Sequence, residues 1–202
     1  MEPSVVVSSV DEDAVLADAC TRFGELAPED AVLVLAQAKA EAVAGLIEAD
    51  EVDADALGLQ VSHAVVIGCD SMLEIDGEAR SKPIDAADAI RCWQQQRGRT
   101  GTLHTGHWLI DLRDPEAGGT RATLGATSST VVHFADIDDE EIAAYVATGD
   151  PLHVAGAFTL EGLGGPYIER IEGDPHGVVG LSLPTLRTLL EEITVPFHAL
   201  RG

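Results

Sequence analysis

The stretch HAVVIGCDSMLEIDGEARSKP, residues 63–83, decides how this chain is read. Residues 64–68 form an apolar run of strand type. Gly68-Cys69-Asp70-Ser71 falls where that strand is expected to end, and Asp76-Gly77 is the two-residue signal for a type I′ hairpin. Lys82 then stands ahead of Pro83. A strand that only fills a core has no need to deliver two opposite charges to its carboxyl end. Where helices flank a sheet, ligands gather beyond the carboxyl ends of the strands. Asp70 placed there can hold a metal or act as a general base on water. It can equally be a turn aspartate bonding its own backbone. Lys82 divides in the same way between phosphate binding and an exposed charge.

Working outward, Pro28-Glu29-Asp30 reads as a helix start, its acids matching the N-terminal dipole. Val32, Leu35, Ala36, Val43, Leu46 and Ile47 follow at helical spacing. Lys39 lies inside that stripe, so it either snorkels or lines a cleft, and periodicity alone favours snorkelling. An acidic loop is expected over 48–60. Asp85 caps a helix running to Gln96, with Ala89, Ile90 and Trp93 inward and Gly98 as its stop. Strands are expected over 102–112 and 120–134, and Asp138 with Glu141 makes a capping box for a helix over 139–148. A glycine-rich segment over 156–165 leads to a strand over 167–171. A last helix follows over 183–192, with Ser182 as its cap. Helices and strands interleave, so the expected fold is α/β with a mixed sheet and α+β character, in a single domain over 1–202.

The 202 residues suffice for one substantial domain, and no run approaches the roughly 20 uncharged residues of a membrane span. The start lacks a basic region ahead of its apolar run, unlike a signal peptide. Cys20, Cys69 and Cys92 show neither paired nor metal-type spacing and read as reduced thiols of a soluble, cytoplasmic protein. Thirty-five acidic against 12 basic residues give a net charge of −23, which argues against binding a nucleic-acid backbone. Small anions stay open, because a divalent cation and a few placed lysines reverse the field locally. His104 and His107, at an odd offset in a strand-like run, point to opposite faces and do not readily share an ion. Gly162-Leu163-Gly164-Gly165 is no P-loop, lacking the Lys-Ser/Thr that must follow, and reads as a tight turn.

The motifs now line up. Gly68-Cys69-Asp70-Ser71, the Asp76-Gly77 hairpin, Ser81-Lys82-Pro83, Arg97-Gly98-Arg99-Thr100, Thr105-Gly106, Thr148-Gly149-Asp150-Pro151-Leu152, Ala155-Gly156-Ala157-Phe158, Ile171-Glu172-Gly173-Asp174 and Val178-Val179-Gly180-Leu181 stand in the order found in Maf proteins. The chain resembles that family over nearly its whole length. The resemblance implies an elongated two-lobed fold with a central cleft, similar to inosine triphosphate pyrophosphatases. It implies a nucleoside triphosphate pyrophosphatase that uses Mg²⁺ or Mn²⁺ to release pyrophosphate and remove non-canonical or surplus nucleotides. Asp70 would then activate water, Glu12 and Asp70 would hold the metal, and Lys39 and Lys82 would bind phosphates. Ser71 and Glu161 would bind substrate, at positions that vary in the family with the substrate base. Members are often dimers, so a homodimer is expected, with no nucleic-acid or membrane partner. The alternative is a non-catalytic member acting through protein contacts in septum control.

The chain departs from the family pattern in three places. His153-Val154 replaces a common Asp-Lys. Glu161 stands where thymidine- and uridine-preferring members carry glutamine, which points to a different or broader base preference. The Ser-x-Ser-x-x-Arg-Arg loop that opens family members and grips the triphosphate is missing ahead of Val10-Asp11-Glu12. The chain is therefore expected to be N-terminally short, with weak pyrophosphatase activity or none as written, and a form begun upstream is expected to be active.

Overall fold

The computed structural model describes residues 3–53, 57–58 and 60–200; part of the loop expected over 48–60 lies outside them. Among the described residues run α1 (Glu12–Phe23), α2 (Pro28–Glu48), β1 (Val65–Ile75), β2 (Glu78–Arg80), α3 (Ala86–Gln96), β3 (Thr100–Asp111), β4 (Thr123–Phe134), α4 (Asp139–Ala147), β5 (Ile168–Glu172), α5 (Pro175–Val179) and α6 (Leu183–Glu192). The strands form one sheet in the order β2-β1-β3-β4-β5. Helices and strands interleave around it, as the α/β class with α+β character requires. β1 meets β2 antiparallel with Ile75 opposite Glu78, and β4 meets β5 antiparallel with Val131 opposite Glu172. Asp76 (φ 56°) and Gly77 (φ 81°) are both left-handed, the conformation a type I′ hairpin demands.

One expectation is corrected. β1 does not end near Asp70 but continues for 11 residues, from Val65 through Asp70 to Ile75. Ladder pairing carries a strand through polar positions, and the apolar pattern resumes at the fully buried Leu73 and Ile75. The apolar run from 64 to 68 covers only the part of the strand that packs on α2 and the α6 end.

The chain groups into two compact units. The first takes residues up to Asp70, Gly106–Thr127, and those from Leu183 onward; the second takes Ser71–Thr105 and Ser128–Ser182. In the first unit, strand alternation sorts side chains to two faces. Val66, Ile110 and Leu112 pack on Ala40, Ala44 and Ile47 of α2. Val65, Ile67, Leu109 and Leu124 pack on Leu189, Leu190 and Ile193 at the α6 end. Helix α1, absent from the elements expected from the sequence, begins where Asp11 accepts a hydrogen bond from the Ala14 amide at 3.0 Å. Residues 4–10 form no regular element.

The second unit is built around Trp93 of α3, which is fully buried. Its ring meets Phe134 and Tyr145 edge-on at 5.8 and 5.5 Å. Its Nε1 donates to the Ala157 carbonyl at 2.6 Å, and Gln96 donates to the Gly156 carbonyl at 3.1 Å. The expected caps of α3 and α4 are present, Asp85 accepting from the Asp88 amide and Asp138 from the Glu141 amide. Helix α5, unread in the sequence, starts on an Asp174 cap.

Candidate active site

Val66, Gly68 and Asp70 occupy every second position of β1 and so share the face that meets α2. Gly68 is there because the helix backbone fills the place of a side chain. A Cβ at Gly68 would lie 2.3 Å from the Ala36 carbonyl oxygen and 2.7 Å from the Ala40 amide nitrogen. Gly106 of β3 plays the same part beneath Val32, whose carbonyl oxygen would be 2.3 Å from an added Cβ. With Ala36 and Ala40 as its contact residues, α2 lies directly on the strands. Lys39, between those alanines, is thereby delivered to Asp70.

Three of the expected site residues meet here. Lys39 Nζ donates to Asp70 Oδ1 at 2.5 Å and pairs with Glu12 Oε1 at 2.8 Å. Glu12 is the first residue of α1, placed by the Asp11 cap. The side chains keep 23% (Lys39), 36% (Glu12) and 12% (Asp70) of their exposure, so the cluster is partly desolvated yet open to a ligand. Lys39 therefore does not snorkel. Burial alone would lower its pKa, but the bonds and charges of Asp70 and Glu12 outweigh this and hold the ammonium above its ordinary 10.5. Neighbouring Cys69 also titrates high, which for a thiol favours the neutral form. Burial, with Asp70's charge adding to it, pushes its thiol up to about 12, so it is no thiolate nucleophile near neutral pH.

The donor set suits a hard divalent cation. Two carboxylates from different elements already converge on one cationic nitrogen, and carboxylate oxygens are what Mg²⁺ and Mn²⁺ take from a protein that leaves room for substrate phosphates.

The other expected residues belong to the second unit. Lys82 is exposed, in the segment joining β2 to α3, and Glu161 is exposed in the glycine-rich segment. Ser71 is half-buried, its Oγ 2.8 Å from Thr105 Oγ1.

Sequence reading missed what holds the Glu161 segment. Asp150 Oδ2 accepts from the Tyr145 hydroxyl at 3.1 Å, from the Thr159 hydroxyl, and from the Leu163 amide at 3.2 Å. Burial, outweighing the Thr159 hydrogen bonds and with Asp150's charge adding to it, pushes the Tyr145 hydroxyl up to about 12, which keeps it a donor. Gly162 and Gly164 are explained by this network more than by turn geometry. A Cβ at Gly162 would stand 2.5 Å from Thr159 Oγ1, and one at Gly164 would stand 2.5 Å from the Tyr145 hydroxyl. The available signal was Asp150 in the stretch Thr148-Gly149-Asp150-Pro151-Leu152, which entered the sequence reading only as a family motif.

Against known proteins, residues 1–193 match the family model described as Maf-like protein. The chain is 51% identical over 200 residues to a protein of Salinispora tropica named nucleoside triphosphate pyrophosphatase, covering 99% of this chain and 78% of that protein. Proteins of the same name in Leifsonia xyli subsp. xyli and Streptomyces avermitilis are 48% and 47% identical, covering 99% and 96% of this chain and 87% and 82% of theirs. The sheet, the glycine-backed strand and the lysine–carboxylate cluster thus sit in a chain that belongs to the Maf family.

Proposed function

We propose that this protein hydrolyses nucleoside triphosphates to nucleoside monophosphate and pyrophosphate, removing non-canonical or surplus nucleotides. The observation that carries the reading is the meeting of Glu12, Lys39 and Asp70, which are far apart in sequence, at one partly desolvated point. The relatives' shared name supports the same reaction.

In this reading Asp70 accepts the proton of a water molecule as the water oxygen bonds to phosphorus. The anhydride bond between the α- and β-phosphates breaks, and its electron pair leaves on pyrophosphate. Lys39 binds phosphate oxygens beside Asp70, and Lys82 supplies a second cation, so that charge developing on the transferred group is neutralised. Glu12 and Asp70 would hold the Mg²⁺ or Mn²⁺ ion, which when bound neutralises phosphate charge and polarises the phosphoryl oxygens. Ser71 and Glu161 would face the base. Water attack on an anhydride needs positioning more than a covalent nucleophile, consistent with a Cys69 thiol held protonated. The net charge of −23 disfavours a nucleic-acid partner, and no helix among the described residues is long and apolar enough to cross a membrane. The cytoplasm, where nucleotides are the substrate pool, is the proposed location, and a homodimer is the proposed assembly.

The test is pyrophosphate release from a nucleotide panel with Mg²⁺ or Mn²⁺, run on this chain and on a form begun upstream. Asp70→Asn keeps the shape and removes the base, so activity is expected to fall about 10²–10⁴-fold. Undiminished turnover by Asp70→Asn would remove Asp70 from the chemistry. Two inert wild-type forms would end the hydrolase reading.

A further inference from the structure

A hydroxyl group has one proton to give and two lone pairs. Thr105, which is fully buried, gives its proton to the Gly177 carbonyl at 2.8 Å. A carbonyl cannot return one. The contact of 2.8 Å between Ser71 Oγ and Thr105 Oγ1 therefore has a single direction, with Ser71 the donor. Gly177 is itself fixed, because its amide donates to Asp174 Oδ2 at 3.2 Å within the cap of α5. A Cβ on Gly177 would come 2.9 Å from Ser128 Oγ, so the position is closely packed. With its proton committed to the interior, Ser71 has only lone pairs left for any other partner.

We propose that the base subsite is an acceptor-only surface that selects nucleobases by their exocyclic amino groups, with Thr105 as the positioning residue that fixes Ser71 as an acceptor. The inference rests on Ser71 and Glu161 facing the base of a hydrolysed nucleotide. Glu161 has the same polarity by its chemistry, since a carboxylate accepts hydrogen bonds and does not donate them. An amino group satisfies such a surface. A base carbonyl in its place leaves two oxygens opposed and unpaired, and a site built to bond a polar group rejects an analogue that lacks the matching one. The substrate class is then nucleotides whose base edge carries an exocyclic amino group, as in cytosine and guanine, ahead of uracil and hypoxanthine.

The experiment compares kcat/KM within two matched pairs, CTP against UTP and GTP against ITP, in whichever form of the protein turns over nucleotide. In each pair the first nucleotide has an amino group that the second lacks. Wild type is expected to favour the amino-bearing member by about tenfold or more, the factor one hydrogen bond of roughly 1.4 kcal/mol supplies. Thr105→Val removes the internal acceptor, frees the Ser71 proton to face outward, and should bring CTP:UTP toward one mainly by improving UTP. Thr105→Ser keeps the relay and should keep the wild-type ratio, which a general packing role for Thr105 would not predict. Glu161→Gln, on an exposed segment where folding is not at stake, adds a donor and should move the ratio the same way. Equal use of both members of each pair by an active wild type would overturn this inference and leave the hydrolase reading standing. So would a ratio unmoved by Thr105→Val and Glu161→Gln. No turnover of any nucleotide by either form would sink both.

Discussion

Gly68→Ala tests the contact that assembles the site. The added Cβ would meet the Ala36 carbonyl oxygen at 2.3 Å, the Ala40 amide nitrogen at 2.7 Å and the Ala40 Cβ at 2.9 Å. None of these atoms can swing aside, because each is backbone or the first side-chain carbon of α2. Helix and strand must therefore part by about 1 Å to restore ordinary contact. Overpacking of this kind costs about 1–3 kcal/mol, and with no flexible side chain to yield, the upper end applies. In a chain of this size, 3 kcal/mol lowers Tm by about 6–12 °C. Lys39 lies between Ala36 and Ala40, so the same parting stretches its 2.5 Å bond to Asp70 toward the limit of about 3.5 Å. Activity should then fall further than stability alone explains. Gly45→Ala is the paired control in the same helix. An added Cβ there has nothing within 4 Å, so the substitution should gain about 0.5–1 kcal/mol from helix propensity. Thermal unfolding and pyrophosphate release, measured on both variants, give the comparison. A Gly68→Ala protein that melts at or above wild type would refute the close-packing account, and so would equal effects at the two glycines.

Four further outcomes are expected, at three residues. Asp111 is fully buried and accepts from Arg113 Nε at 2.8 Å, Arg113 Nη2 at 2.9 Å, and the Thr120 amide at 2.7 Å, so Asp111→Ala leaves a half-buried guanidinium with only the Ile193 carbonyl and should cost about 3 kcal/mol in denaturant unfolding. Burial alone would raise the Asp111 pKa, but the Arg113 and Thr120 bonds outweigh it and hold the carboxyl below its usual 3.8. Its stabilisation is thus present above pH 3.8 and lost as pH falls below, so Asp111→Asn should flatten the acid limb of stability against pH. Lys39, held above 10.5, has the opposite sign: its stabilisation is present below pH 10.5 and lost as pH rises through the folded value, so Lys39→Met should lack the alkaline limb seen in wild type. Asp150→Ala should speed hydrogen exchange at the Leu163 amide by about tenfold, the loss of one hydrogen bond, while Asp150→Asn keeps an acceptor oxygen and most of the protection.

Features carried by short-range rules were legible in the sequence. The Asp85 and Asp138 caps, the Asp76-Gly77 hairpin and the start of α2 at Pro28 each depend on residues within one turn, and each stands where its local chemistry puts it. Features set by a distant neighbour were not. The extent of β1 depends on a second core that takes up Leu73 and Ile75, and no property of residues 64–68 announces it. The glycines at 162 and 164 answer to Tyr145 and Thr159, whose approach is a tertiary fact. Helix α1 was hidden because its acidic first turn reads equally as a solvated charge cluster.

Lys39 marks the border between the two kinds of feature. Helical periodicity sees a cation in an apolar stripe and cannot say whether the head reaches water or a partner, since both fates use the same stem. The deciding information lies in another element. On β1, three successive same-face positions read apolar, empty, charged: Val66, Gly68, Asp70. The empty middle position admits the backbone of α2, and the charged third then falls within reach of the one lysine flanked by the two contacting alanines. Filling the gap at Gly68 or moving the charge by a single residue, which would turn it to the other face of the strand, undoes the pairing. The charge cluster is thus a consequence of how closely a helix and a strand are allowed to approach.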